Sequence, residues 1–493
     1  MNVDGMRQWA ACVVVSCLLS SSACDCSSNA AEDDAAVDVV GLDVPTRDGS
    51  VVIPGEGECA WEPGERPSAE LPPTHESRYE LELERWGISN DSGDPVETRH
   101  RFNEAIEWAT TNGFDVVVVP PGTYLVGEPT NDIYAAGIVL ASDMTLELSP
   151  DTVIQMAPND RHNYCVIDLD GGSNITIRGG TIVGDRDTHE FVGGTAHDEG
   201  HGICAWTSVS HVLIEDIELR ELTGDGVLIL GSRGDDTEPG VPSTHVTIRR
   251  SEIHHNRRQG VSIVGSDSIV IQDNHIHHIE GTEPQFGIDI EGAGRSDRNI
   301  WIHRNQFHDN AGGDVVTSSG RNVWIEGNTM TQCGDPCELA EQVDGPIVIW
   351  KETDNVILDN TITMSMRTVN GLWGIIGYTR NDGPTRENPV GNLIAGNVFH
   401  GAGIHMAHNM RTVIADNTIH DGLILGYRLG CTRLENNRIN RTSGENYKLR
   451  DVAGVARGNV LNRAEGAPPE EDVQMHFPMA DDAPYRNSSP VFW

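Results

Sequence analysis

Eight asparagines, each two residues before an apolar residue, constrain this chain more than any other feature: Asn274, Asn305, Asn328, Asn360, Asn397, Asn417, Asn437 and Asn459. They are separated by 31, 23, 32, 37, 20, 20 and 22 residues. A floor near 20 with longer gaps describes one coil of fixed length with loops inserted in some coils, which is a solenoid. Around these positions run short segments such as SNITIRGGTI, DSIVIQDNHI and RNVWIEGNTM. Their Ile and Val alternate with polar residues, so one face points into the coil and the other outward. Asparagine suits a sharp bend because it tolerates the left-handed conformation, and its amide can bond the Asn one coil along. The column therefore holds turns.

The chain is expected to be all-β: a single-stranded right-handed parallel β-helix of about 10–11 coils with an N-terminal capping helix. The helix is placed by Phe102, Ala105, Ile106 and Ala109, and the strand Val116–Val119 follows. The expected organisation is a signal over residues 1–26, an acidic Pro- and Gly-rich linker over 27–77, the β-helix over 78–463 and an irregular tail over 464–493. The stretch WGISNDSGDPVETRHRFNEAIEWATTNGFDVVVVPPGTYLVG resembles the N-terminal part of the pectate-lyase and polygalacturonase-like β-helix superfamily. That resemblance spans roughly residues 79–463 and implies the fold. It leaves the reaction open, because lyases, hydrolases, epimerases and phage depolymerases share it. The Arg-Ile-Lys of polygalacturonases has no counterpart, and His201 precedes Asp225 here. Phe286-Gly-Ile-Asp-Ile-Glu291 resembles the Tyr-Gly-Phe-Asp-Pro-His of alginate epimerases, with Phe286 for the Tyr and Glu291 for the His.

The formal net charge of −41, with Lys351 and Lys448 the only lysines, excludes a nucleic-acid partner, which a dominant basic surface would have to bind. Arg7 precedes an apolar run from Trp9 to Leu19 that is too short to span a bilayer, and small residues follow it. This reads as an export signal. Cys24 follows Ser-Ser-Ala as in a bacterial lipoprotein cleavage box, although Ser21 stands where Leu is preferred, so membrane attachment through a lipidated Cys24 stays open. Secretion, the periplasm or the cell surface are the expected locations. An exported chain permits disulfides, and Cys333-Gly-Asp-Pro-Cys337 reads as a local one. Oligomeric state is not legible.

Aligning the strands that begin Gly-Ile or Gly-Val gives two outward columns. The first carries Cys204, Leu228, Ser262, Asp289, Ile376 and His405; the second carries Trp206, Leu230, Val264, Glu291, Trp350 and Tyr378. Aromatic residues flanking carboxylates suit a polysaccharide, with Gln259, Trp206, Trp350, Tyr378 and His405 as substrate contacts. Asp289 and Glu291 stand roughly 7 Å apart along one strand, a separation that serves an acid/base pair or a Ca²⁺ site. Asp225 lies in Gly-Asp-Gly two coils earlier, where it is equally a turn former. Arg257 or Arg258 could neutralise a uronate carboxylate, and His201 could move protons. His254, His255, His275, His277 and His278 line one face, with only a weak metal-cluster signal in their spacing. The expected function is an extracellular enzyme that abstracts the C5 proton of a uronate, as a lyase or epimerase. The alternatives are an inverting hydrolase using Asp225, Asp289 and Glu291, and a non-catalytic carbohydrate-binding surface protein.

Overall fold

The computed structural model describes residues 62–91, 93–127, 137–193, 197–232, 234, 240–292, 297–332, 345–350, 353–365, 373–378, 391–409, 411–441, 447–462, 470–471 and 476–477. Each coil contributes strands to three parallel sheets. The first sheet includes Glu199–Ala205, Asp225–Leu230, Gln259–Val264, Phe286–Ile290 and Gly313–Thr317. The second includes Ser210–Glu215, Ser243–Arg249, Ser266–Gln272, Arg298–His303 and Gly320–Glu326. The third is built from three- to five-residue strands such as Glu252–His254, His275–His277 and Gln306–His308.

The interior is a set of stacked β-branched residues. Ile203, Val227, Val261, Ile288, Val315, Ile347, Ile375 and Ile404 follow one another in register, all with no exposed surface. Burying such a side chain is worth about 1.5–3 kcal/mol. The glycines preceding these positions mark close approach: a Cβ on Gly226 or Gly260 would lie 2.6 or 2.4 Å from a carbonyl oxygen of the next coil.

The asparagine column forms a continuous ladder. Each amide nitrogen from Asn274 to Asn437 donates to the next Asn Oδ1 at 2.9–3.1 Å. Each also donates to a strand carbonyl, and the backbone N–H of each Asn donates to the same Oδ1 of the next. The left-handed residue is not the Asn but the one before it: Asp273, Arg304, Gly327, Asp359, Gly396, Asp416, Asn436 and Gly458 have φ between 53° and 66°. The bend is made there, leaving the Asn in a conformation that aims its amide along the axis.

Asp94 caps the helix Pro95–Thr111 by accepting from the Glu97 N–H, and Pro95 begins it, where its missing N–H costs nothing. Phe102, Ala105, Ile106 and Ala109 are buried, and Phe102 meets the Tyr124 ring edge-on at 5.3 Å. The helix thus covers the apolar end of the first coil. Residues 62–77, read from sequence as part of a linker, lie along the second sheet. Arg66 pairs with Glu326 at 2.8 Å and sits over the Trp301 ring, Glu70 lies 3.6 and 3.7 Å from His211 and His245, and His75 bonds Thr145.

Candidate functional site

The first sheet gathers a buried charge cluster on its outward side. Asp225, with no exposed surface, accepts from Arg258 Nη1 at 2.9 and 3.2 Å and from Ser262 Oγ at 2.8 Å. Ser262 is paired in register with Asp289 on the next strand. Asp289 is 3% exposed and accepts from Gln259 Nε2 at 2.9 Å. Arg258 Nη2 lies 3.5 Å from Glu291 Oε2 and has no shorter partner among the described residues. Glu291, with 19% of its side chain exposed, is the edge of the cluster that faces solvent.

Burial decides the protonation states. It pushes Asp225 up to about 6 against the opposing pull of Arg258. Asp289 is held well above the usual carboxylate range by burial and by the neighbouring Glu291. Burial also works against the charge of Arg258, but Asp225, Glu291, Asp198 and Asp289 outweigh it and keep the guanidinium charged. His201 is pushed down to about 3 by burial and by Arg258. Its Nδ1 accepts the Asp225 backbone N–H at 3.1 Å, so the ring is the neutral tautomer protonated at Nε2.

A second buried chain fastens the loop beside this cluster. Tyr164 OH donates to Asp185 Oδ1 at 2.7 Å, while Asn159 N and Nδ2 donate to Oδ2. His189 Nδ1 is 2.8 Å from Asp185 Oδ2, and its Nε2 is 2.9 Å from His197 Nδ1. His197 Nε2 donates to the Val192 carbonyl. Asp185, which also accepts from Tyr164 and Asn159, anchors this pair of imidazoles. This clamp sets Phe191, 50% exposed, under Arg257, whose guanidinium lies 4.6 Å from the ring centre and donates to the His197 carbonyl.

Residues 131–282 and 240–367 match the family model described as "Right handed beta helix region". Together with the three parallel sheets, this decides the architecture. The chain is a right-handed parallel β-helix protein. The uncharacterised protein YclG of Bacillus subtilis strain 168 is 31% identical to it over 270 residues, 51% of this chain and 46% of YclG. The match thus spans about half the length of that relative. Among solved structures, the surface protein and adhesin PfbA of Streptococcus pneumoniae superposes with a TM-score of 0.50 at 15% identity, over 78% of this chain and 100% of PfbA. The mannuronan C-5 epimerase AlgE6 A-module of Azotobacter vinelandii superposes with a TM-score of 0.45 at 16% identity, over 80% of this chain and 100% of the module. At 15% identity the likeness to PfbA shows the fold alone.

In the β-helix protein the first outward column runs in register through Asp168, Cys204, Leu228, Ser262, Asp289, Val316, Val348, Ile376 and His405. Asp225, Arg258, Gln259, Asp289, Glu291 and His201 come together. The aromatic candidates lie elsewhere along it. Trp206 donates to Asp168 at 2.7 Å. Trp350 packs on Phe286, Val316 and Val348, and His405 contacts Trp373. The side chain of Tyr378 and the Cys333–Cys337 bridge lie outside the described residues. A disulfide between Cys165 and Cys204 joins neighbouring strands of the first sheet.

A Ca²⁺ ion at Asp289 and Glu291 does not fit this geometry. Ca²⁺ takes six to eight oxygens, whereas Gln259 Nε2 already occupies Asp289 Oδ2 and the Arg258 guanidinium, 3.5 Å from Glu291, supplies the positive charge there. Sequence reasoning also missed Ser262 as a partner and the Asp185–His189–His197 chain altogether. Ser262 was visible in the aligned column directly before Asp289. The clamp had no comparable signal, since it depends on how a non-repetitive loop folds back.

Proposed function

We propose that this protein is an exported enzyme that hydrolyses glycosidic bonds of a polysaccharide, with Asp289 as general acid and Glu291 as general base. The observation that carries this reading is the contrast between two carboxyls two residues apart, Asp289 in the strand Phe286–Ile290 and Glu291 just after it. Asp289 is buried, and burial together with Glu291 raises its pKa well above the usual carboxylate range, while Glu291 stands at the solvent edge beside Arg258. Opposed environments for paired carboxyls are how acid and base roles are divided. Their Cα atoms stand roughly 7 Å apart, and an inverting glycosidase needs its carboxyl groups about 6.5–9.5 Å apart to admit the attacking water. Asp289 would protonate the leaving oxygen while Glu291 takes the proton of the water that attacks the anomeric carbon. Asp225 and Arg258 would hold the field constant, and Phe191 offers a flat apolar face for a sugar ring.

A second reading has its own support. Arg258 Nη2 has only a 3.5 Å partner in Glu291, so it could receive a uronate carboxylate and assist C5 proton abstraction in a lyase or epimerase. Incubating the protein with acidic and neutral polysaccharides separates the two. Reducing ends without near-ultraviolet absorbance are expected for the hydrolase. Absorbance rising with chain cleavage would move the assignment to β-elimination, and absence of both across the panel would favour a binding surface.

A further inference from the structure

The third sheet carries a histidine array that the cluster above does not use. His254, His277 and His308 occupy the same register in successive coils, and their rings stack at 4.8 and 4.6 Å between centres. His255 and His278 stack beside them at 4.8 Å from the left-handed turn positions. His275 stands two residues before His277 on the same strand, and its Nε2 is 2.8 Å from His308 Nε2. One ligand atom from each of His275, His277 and His308 lies within 4.8 Å of the others. The carboxylate of Glu252 joins them, with Oε1 3.2 Å from His277 Nε2 and 3.5 Å from His275 Nδ1.

We propose that His275, His277 and His308, with Glu252 alongside, form a binding site for a divalent ion of the Zn²⁺ class. Two nitrogens bound to one Zn²⁺ at 2.0–2.1 Å sit about 3.3 Å apart in a tetrahedron, so these spacings need only small side-chain rotations to enclose an ion. Imidazole-rich sets select borderline metals such as Zn²⁺, Ni²⁺ and Cu²⁺ over Ca²⁺ and Mg²⁺. The parallel ladder fixes the three ligand-bearing backbones, and the side chain of His277, 9% exposed, is locked between its stacked neighbours. His308 Nδ1 is 2.9 Å from Asp309 Oδ2, an outer-shell contact that orients its Nε2 toward the ion. His275 and Glu252 also line a cleft of about 420 Å³ with Arg250, Arg304 and Gln306, which opens that side of the site to solvent. Such an opening suits an exogenous ligand with an anionic group.

The test uses tag-free full-length protein stripped with chelator, titrated calorimetrically with Zn²⁺ and followed spectroscopically with Co²⁺. Wild-type protein is expected to saturate with Zn²⁺ and to show visible Co²⁺ absorbance of a low-coordinate site. The His275→Gln/His308→Gln variant should bind Zn²⁺ at least tenfold more weakly and lose that absorbance. Thermal midpoints without metal establish that the variant is folded, and Zn²⁺ should raise the midpoint of the wild type alone. Should the double variant fail to fold, His275→Gln alone makes the same comparison, because the His275 side chain is 38% exposed. Equal Zn²⁺ affinity in wild type and variant, or no saturable binding by the wild type, overturns the proposal.

Discussion

Arg258 is the residue on which the charge cluster turns. It is buried, its Nη1 is held by Asp225, and Glu291 lies beyond it. Removing one partner of a buried pair leaves the other uncompensated. Arg258→Gln should therefore lower unfolding free energy by about 3–5 kcal/mol in urea titrations; a loss below 1 kcal/mol would mean the pair is solvated. Asp314 tests burial without an ion pair. Both of its hydrogen bonds, from Asn310 and Gln332, reach Oδ1, and burial pushes it up to about 7 from 3.8. A carboxyl raised in the folded state is ionised first in the unfolded chain. Its contribution is complete below about pH 4 and is lost as pH rises toward 7, by about 4 kcal/mol. Wild-type stability should fall over that interval more steeply than that of Asp314→Asn, as measured by urea midpoints at about pH 4 and 7; parallel curves would contradict the assignment. Asp289 and Glu291 were legible because strand alternation places both outward. Asp314 was not, because it sits at the inward position that is Gly287 one coil earlier, where a polar side chain breaks the pattern.

The asparagine ladder is the element that ties one coil to the next. Asn360 donates to Ile325 O and Asn397 Oδ1, and receives both Asn328 N and Asn328 Nδ2. Asn360→Ala strips partners from groups that water cannot reach, each worth about 1–3 kcal/mol. A destabilisation of about 2–4 kcal/mol is expected by denaturant unfolding, and a change under 0.5 kcal/mol would show that the ladder is not structural. This element could be read from eight spaced residues because it repeats. The histidine array was half legible for the same reason: EIHH, HIHH and QFHD share a register through the asparagine column, but the approach of His275 to His308 depends on side-chain rotamers. Cys165–Cys204 escaped because its two strands are joined by a loop that carries no repeat signature.

For the molecule as a whole, a net charge of −41 means that self-repulsion opposes compactness at neutral pH. Added salt screens it over a Debye length that shrinks from about 30 Å at 0.01 M to about 10 Å at 0.1 M. The thermal midpoint should rise between 10 mM and 0.5 M sodium chloride in scanning fluorimetry; a fall would show that attractive ion pairs such as Arg66–Glu326 outweigh the repulsion. The solenoid places catalytic and metal-binding candidates on different sheets of one framework, so each can be altered without the other. The most direct test of the central claim is the initial rate of Asp289→Asn against wild type on whichever polysaccharide releases reducing ends, with thermal midpoints measured in parallel. The account predicts at least a hundredfold loss of rate with an unchanged or raised midpoint, since a buried carboxyl with a raised pKa is replaced by a neutral group of the same shape. A variant that is as active as the wild type would show that Asp289 is a structural carboxyl and that the acid lies elsewhere.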